Sequence, residues 1–314
     1  PIYNINMKIT LPDNSSRELP QGSSGYDLAK DIGPGLAKSA VAVSVNGVQR
    51  DLHDVIEGDA SVSIITIDSD EGIEIMRHTL TAQVLARAIK NLYPNSKLAI
   101  GPTIDDGFYY DVESEKSISS DDLSKIEDEM KKIIKTKSSI TKKLVSKSEA
   151  LKVFKEKKES YKEIIVNESK QKDNFQLYYQ DDKKFVDLCR GPHLPNLEFI
   201  GSFKLTKVSG AYWKGDSANA MLTRIYGTAF NNEKDLQSHL DNLEEALKRD
   251  HRKLGKEMDL FHFQDEAPGM VFWHQNGWSI YRKLRNFIRG RLKENDYIEV
   301  NTPQVIDRKL WEAS

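Results

Sequence analysis

Cysteine is almost missing from this chain: Cys189 is the only one in 314 residues. No internal disulfide can form, and nothing points to an oxidising compartment. No apolar run approaches the ~20 residues that a membrane helix needs. The opening PIYNINMKITL lacks the basic-then-apolar pattern of a secretory signal. A cytoplasmic protein without a membrane partner is the expectation. Neither sign of charge dominates, because the net charge is only −2, and that balance argues neither for nor against nucleic acid. Internal repeats, a P-loop and a dinucleotide fingerprint are also absent.

The composition, 38% hydrophobic and 30% charged, reads as a soluble globular chain rather than a disordered one. At this length one ordinary core is too few, so two or three domains are expected. Charge is uneven along the chain. Between Lys131 and Lys172 there are fourteen lysines, five glutamates and no aspartate. Such a stretch is either a solvated helical face or a surface that meets phosphates through a salt-sensitive contact.

Residues 5–66 read as a small β-rich module. Ile5 to Leu11 suits a short strand, while Tyr26 to Ile32 and Leu36 to Ala40 suit helices. Asn46-Gly47 between two β-prone runs is a hairpin signal, since both turn positions need positive φ. Val62 to Thr66 supplies a closing strand, and the set suits a ubiquitin-like β-grasp fold. A polar break at residues 68–72 leads into a long amphipathic helix, Ile73 to Leu92, which Pro94 ends. Residues 98–111 and 176–228 mix short strands with Gly/Pro turns. Two lysine-rich helices lie between them, near 120–136 and 147–158. A leucine-patterned helix follows Asn232. A further helix runs from Trp278 to Glu294, with Tyr297 to Val300 as a strand after it, and the stop at Ser314 leaves the third region short of residues for a core. The fold class is α+β and multidomain.

Four segments then carry a resemblance. They are LAIGP with GFYYD at 98–111, FVDLCRGPH at 185–193, AYWKGD with RIYG at 211–227, and DHRK through EAPGMVFWH at 250–274. In this order, behind a β-grasp module, they resemble the threonyl-tRNA synthetase family over essentially the whole chain. The resemblance implies a TGS domain at 1–67, an α+β editing (second additional) domain at 68–228 and a linker helix at 229–249. Residues 250–314 would begin a class II catalytic domain, including its motif 1. It implies tRNA(Thr) as partner, homodimerisation of the full-length enzyme, and ATP/Mg and Zn sites lying beyond residue 314. This stretch alone would need no cofactor and would not charge tRNA.

Threonine and serine differ by one methyl, from which a binding pocket extracts only about 1–3 kcal/mol. A second site that hydrolyses serine attached to threonine tRNA therefore improves accuracy. The resemblance places catalytic residues at Lys162, Asp187, Cys189 and His193, with Tyr110 in the pocket. Lysine can stabilise negative charge, histidine can move protons near neutral pH, and cysteine is small enough to favour serine over threonine. The family's first editing-domain helix usually carries His-x-x-x-His. Counting back without gaps from Ala88 puts Thr79 and Gln83 at those places; anchoring on His78 instead leaves one extra residue to absorb. In the ungapped register His78 faces elsewhere, no four-ligand zinc site can form, and hydrolysis is expected to be slower. The other histidines, among them His262 and His274, read as structural or surface groups. Two alternatives stay open: an RNA-binding module without hydrolysis, and a regulatory protein using its β-grasp module for protein contacts.

Overall fold

The computed structural model describes residues 6–180, 185–303 and 308–312. Ile5, expected to open the first strand, lies outside them, as does the terminal Ser314. The chain divides into two compact units, Pro1–Ser238 and His239–Ser314.

The first unit opens with strands β1 (Asn6–Thr10) and β2 (Ser16–Pro20), helices α1 (Gly25–Ile32) and α2 (Pro34–Ser39), and strands β3 (Ala40–Val45), β4 (Val48–Asp51) and β5 (Ala60–Thr66). The sheet order is β2-β1-β5-β3-β4, with β1 and β5 parallel at its centre. Ser24 and Asp27 form a reciprocal cap at the start of α1, which lays Leu28 and Ala29 on the sheet, fully buried. Asn46 and Gly47 both take positive φ, 50° and 81°, so the β3–β4 hairpin forms where the Asn-Gly pair predicts it. That hairpin carries Asp51 to the end of β4.

Helix α3 (Asp70–Thr79), capped by the Ser69 side chain, continues through a π-helical turn, Leu80–Leu85, into α4 (Ala86–Leu92). Short strands β6 (Lys97–Leu98) and β7 (Thr103–Ile104) precede β8 (Gly107–Glu113). Then come α5 (Leu123–Lys135), β9 (Ile140–Val145), α6 (Lys147–Glu156), α7 (Ser160–Glu168), β10 (Phe175–Gln180), β11 (Val186–Leu188), β12 (Ser202–Tyr212) and β13 (Met221–Phe230). One sheet runs β12-β13-β8-β6, with β7 beside β8, and a smaller one runs β11-β10-β9. The main apolar cluster gathers Leu80, Val84, Leu85, Ala88 and Ile89 with Phe108, Val112 and Ile225. Val41, Ala42 and Ile65 of the β-grasp module join that cluster, beside Ile75 and Met76.

Helix α8 (Glu233–Lys248) occupies the stretch predicted as a linker, its start capped by the Asn232 side chain on the Asp235 amide. The second unit, described by itself, holds α9 (His251–Glu257), the paired strands β14 (Phe261–His262) and β15 (Phe272–Trp273), α10 (Gln275–Glu294) and α11 (Arg308–Glu312). His262 and His274 meet at the surface: Nδ1 of His262 lies 2.7 Å from Nε2 of His274, whose Nδ1 meets Asp259 at 2.6 Å. Tyr297 to Val300, predicted as a strand, is irregular and exposed. A strand needs a hydrogen-bonded neighbour, and none pairs with it among the described residues.

Candidate active site

A cleft of about 810 Å³ opens in the second module. Its walls come from the π-turn region, α7, β8 and the β11 loop. His78, Ala82, Tyr110, Lys162, Asp187 and Cys189 all face it.

Lys162 sits on α7, which the periodicity did not reveal. The buried residues of that helix are Tyr161, Lys162 and Val166; a lysine in the buried face breaks the apolar stripe that would mark it. Lys162 is 3% exposed, and its Nζ lies 2.7 Å from Oδ1 of Asp187. The Tyr110 hydroxyl donates to Oδ2 of the same carboxylate at 3.1 Å, and the Leu188 amide donates to Oδ1 at 2.8 Å. A buried lysine requires such a partner. Burial, and then the Asp187 charge, raise the Tyr110 pKa well above its usual value, so the phenol keeps its proton and remains a donor. A methyl group on Gly101 would stand 2.2 Å from the Tyr110 ring, which is why that turn carries glycine.

The π turn decides which residues of the first helix reach the cleft. The Ala86 amide donates to the Thr81 carbonyl, five residues back, so the segment holds one residue more than an α-helix of the same length. Counting back from Ala88 at ~100° per residue therefore lands one place too late. His78 reaches the cleft, and its Nε2 is 2.7 Å from Sγ of Cys189. Thr79 and Gln83, predicted as pocket residues, do not line it. Thr79 is fully buried; its hydroxyl donates to the Ile75 carbonyl at 2.8 Å and accepts from the Leu194 amide at 2.9 Å. Gln83 is also fully buried, and its carbonyl accepts from the Gln180 side chain at 2.7 Å. Along this helix Ala82 takes the wall position one turn after His78.

His193 stands behind the wall, not in it. It is 2% exposed, stacked on His78 with centroids 4.7 Å apart, and met edge-on by Tyr178 at 4.4 Å. Its Nδ1 is 3.1 Å from the Thr79 hydroxyl. That hydroxyl's one proton goes to Ile75, so geometry assigns the imidazole proton to Nδ1. Nε2 of His193 is buried without a hydrogen-bond partner. Donor atoms of His78, Cys189 and His193 lie within 4.8 Å of one another, close enough to share an ion. The helix adds no fourth donor on the cleft wall, since Ala82 has none.

Two family models match the chain: the TGS domain over residues 7–66, and the threonyl and alanyl tRNA synthetase second additional domain over 176–226. The chain is 51% identical over 306 residues to a threonine–tRNA ligase of Prochlorococcus marinus (strain MIT 9211), and 50% identical over 306 residues to one of Hahella chejuensis (strain KCTC 2396). Each alignment covers 98% of this chain and 48% of the relative. Along nearly its whole length the chain is similar to threonine–tRNA ligases. It spans about half the length of the threonyl-tRNA synthetase relatives it matches. The second-additional-domain match contains Asp187, Cys189 and His193, whereas His78 and Lys162 reach the same cleft from outside the matched segment.

Proposed function

We propose that this chain is the tRNA-binding and proofreading part of a threonine–tRNA ligase, and that its cleft hydrolyses serine esterified to tRNA(Thr). What supports this is the gathering of Lys162, Asp187, Cys189 and His78 on one cleft in a chain that matches threonine–tRNA ligases over 98% of its length. The ester needs a water for attack, a base to take its proton, and a positive group for the developing oxyanion. His78, held neutral because burial lowers its pKa against the opposing pull of Asp187 and Asp51, takes the proton. Lys162, aimed by Asp187, faces the oxyanion or the terminal ribose. Cys189 narrows the hollow so that serine fits and threonine is crowded. The reading calls for no metal ion. With Ala82 in place of a second imidazole, hydrolysis is slower than in relatives that carry both histidines. The longer protein charges tRNA(Thr) with threonine using ATP, as a cytoplasmic homodimer.

The test is deacylation of seryl-tRNA(Thr) by the full chain. Hydrolysis is expected, with threonyl-tRNA(Thr) largely spared, and Lys162→Ala is expected to lower the rate by about a hundredfold. Binding of the tRNA without hydrolysis would instead favour an RNA-binding module, and an unchanged Lys162→Ala rate would refute the assignment of that lysine.

A further inference from the structure

One carboxylate of the β-grasp module is embedded in the wall behind the cleft. Asp51, the last residue of β4, uses its two oxygens separately. Oδ1 accepts the His193 backbone amide at 2.8 Å. Oδ2 accepts the Tyr178 hydroxyl at 2.8 Å and pairs with Nζ of Lys142 at 2.9 Å. His193, Tyr178 and Lys142 all belong to the second module, and its β11 loop and β10 meet at this point. Tyr178 is the ring that holds His193 edge-on, and His193 is the ring on which His78 stacks. The loop has no slack here. Gly191 has φ 63°, and a methyl group on it would stand 2.0 Å from the Tyr178 hydroxyl. That spacing requires glycine, with its freedom at positive φ.

We infer that Asp51 is a positioning residue of the hydrolytic cleft: through the His193 amide and the Tyr178 hydroxyl, the β-grasp module sets where the His193–His78 stack stands relative to Cys189 and Lys162. The inference rests on the hydrolytic reading above. Asp54 is the natural comparison. It pairs with the same lysine at 2.5 Å, and no bond joins it to His193 or Tyr178. Both carboxylates hold the two modules together, but only Asp51 reaches the stack. A charged acceptor bonded to a buried amide is costly to remove, and a small displacement of a catalytic group lowers turnover more than binding.

The experiment compares Asp51→Ala, Asp51→Asn and Asp54→Ala in the full chain, reading kcat and KM for seryl-tRNA(Thr) hydrolysis and hydrogen exchange at the His193 amide. Asp51→Ala is expected to lower kcat about tenfold or more while KM stays within about twofold. It should also speed exchange at His193. Asparagine retains an oxygen for that amide, so Asp51→Asn should restore most of kcat and the protection. Asp54→Ala should stay near the parent in both readouts. The inference is overturned by an Asp51→Ala loss confined to KM, by a loss matched in Asp54→Ala, or by an Asp51→Asn variant as impaired as the alanine. Should Asp51→Ala fail to fold, Tyr178→Phe decides, because it deletes only the hydroxyl: a fall in kcat supports the inference and an unchanged kcat refutes it. If the parent hydrolyses no ester, the hydrolytic reading fails by itself, and the exchange comparison still decides whether Asp51 holds His193 in place.

Discussion

Burial acts in opposite directions on two groups that share the cleft. It raises the Tyr110 pKa and lowers that of His78, in each case against the charged form. The phenol therefore stays a donor to Asp187, and the imidazole stays a base. Lys162 and Asp187 are the exception, a charged pair kept nine-tenths or more buried by mutual contact and by the Tyr110 and Leu188 donors. The lowered His78 pKa gives a pH expectation. With neutral His78 as the proposed base, hydrolysis should persist as pH falls to about 6.5, the ordinary histidine value, and decline only below it. The same shift bears on stability. Below about 6.5 the unfolded chain binds a proton that folded His78 resists, so stability should fall as pH drops from there. A pH–rate profile checks the first expectation, and Tm against pH the second. A rate already halved above pH 7 would show that His78 is not the base.

At the level of elements, the π turn between α3 and α4 explains both what could be read from the residues and what could not. The Asn46-Gly47 hairpin was legible because turn chemistry is local. The apolar stripe of Leu80, Val84 and Ala88 was legible because burial of a face leaves a pattern. The extra residue in Leu80–Leu85 leaves no such mark, since π turns have no strong composition signal, and so the count assigned Thr79 and Gln83 where His78 and Ala82 belong. Helix α7 was missed for a related reason, its buried face being interrupted by Lys162. Asp51 was invisible because His193 and Tyr178, the two groups it holds behind the cleft, are over a hundred residues away. If the π turn only absorbs one residue, deleting Thr81 should give a continuous α-helix that leaves His78 and Ala88 where they are. Seryl-ester hydrolysis should survive within about threefold; loss of hydrolysis with an intact circular dichroism spectrum would show that the π turn itself shapes the cleft.

Across the whole chain, the first 238 residues form one compact unit although they contain two recognisable modules. Val41, Ala42 and Ile65 of the β-grasp sheet enter the core of the second module, and Asp51 reaches behind its cleft. Such joint burial lets one module constrain the other's chemistry. For the proposed hydrolysis, the cleft must admit the amino-acid-bearing end of an RNA. Titration of the full chain with 3′-(L-seryl)amino-3′-deoxyadenosine, a stable amide in place of the ester, tests this most directly. Saturable binding is expected, with weaker binding of the threonyl counterpart and at least about tenfold loss of affinity in Lys162→Ala. Equal affinity of Lys162→Ala and the parent for the seryl compound, or no binding by either, would contradict it.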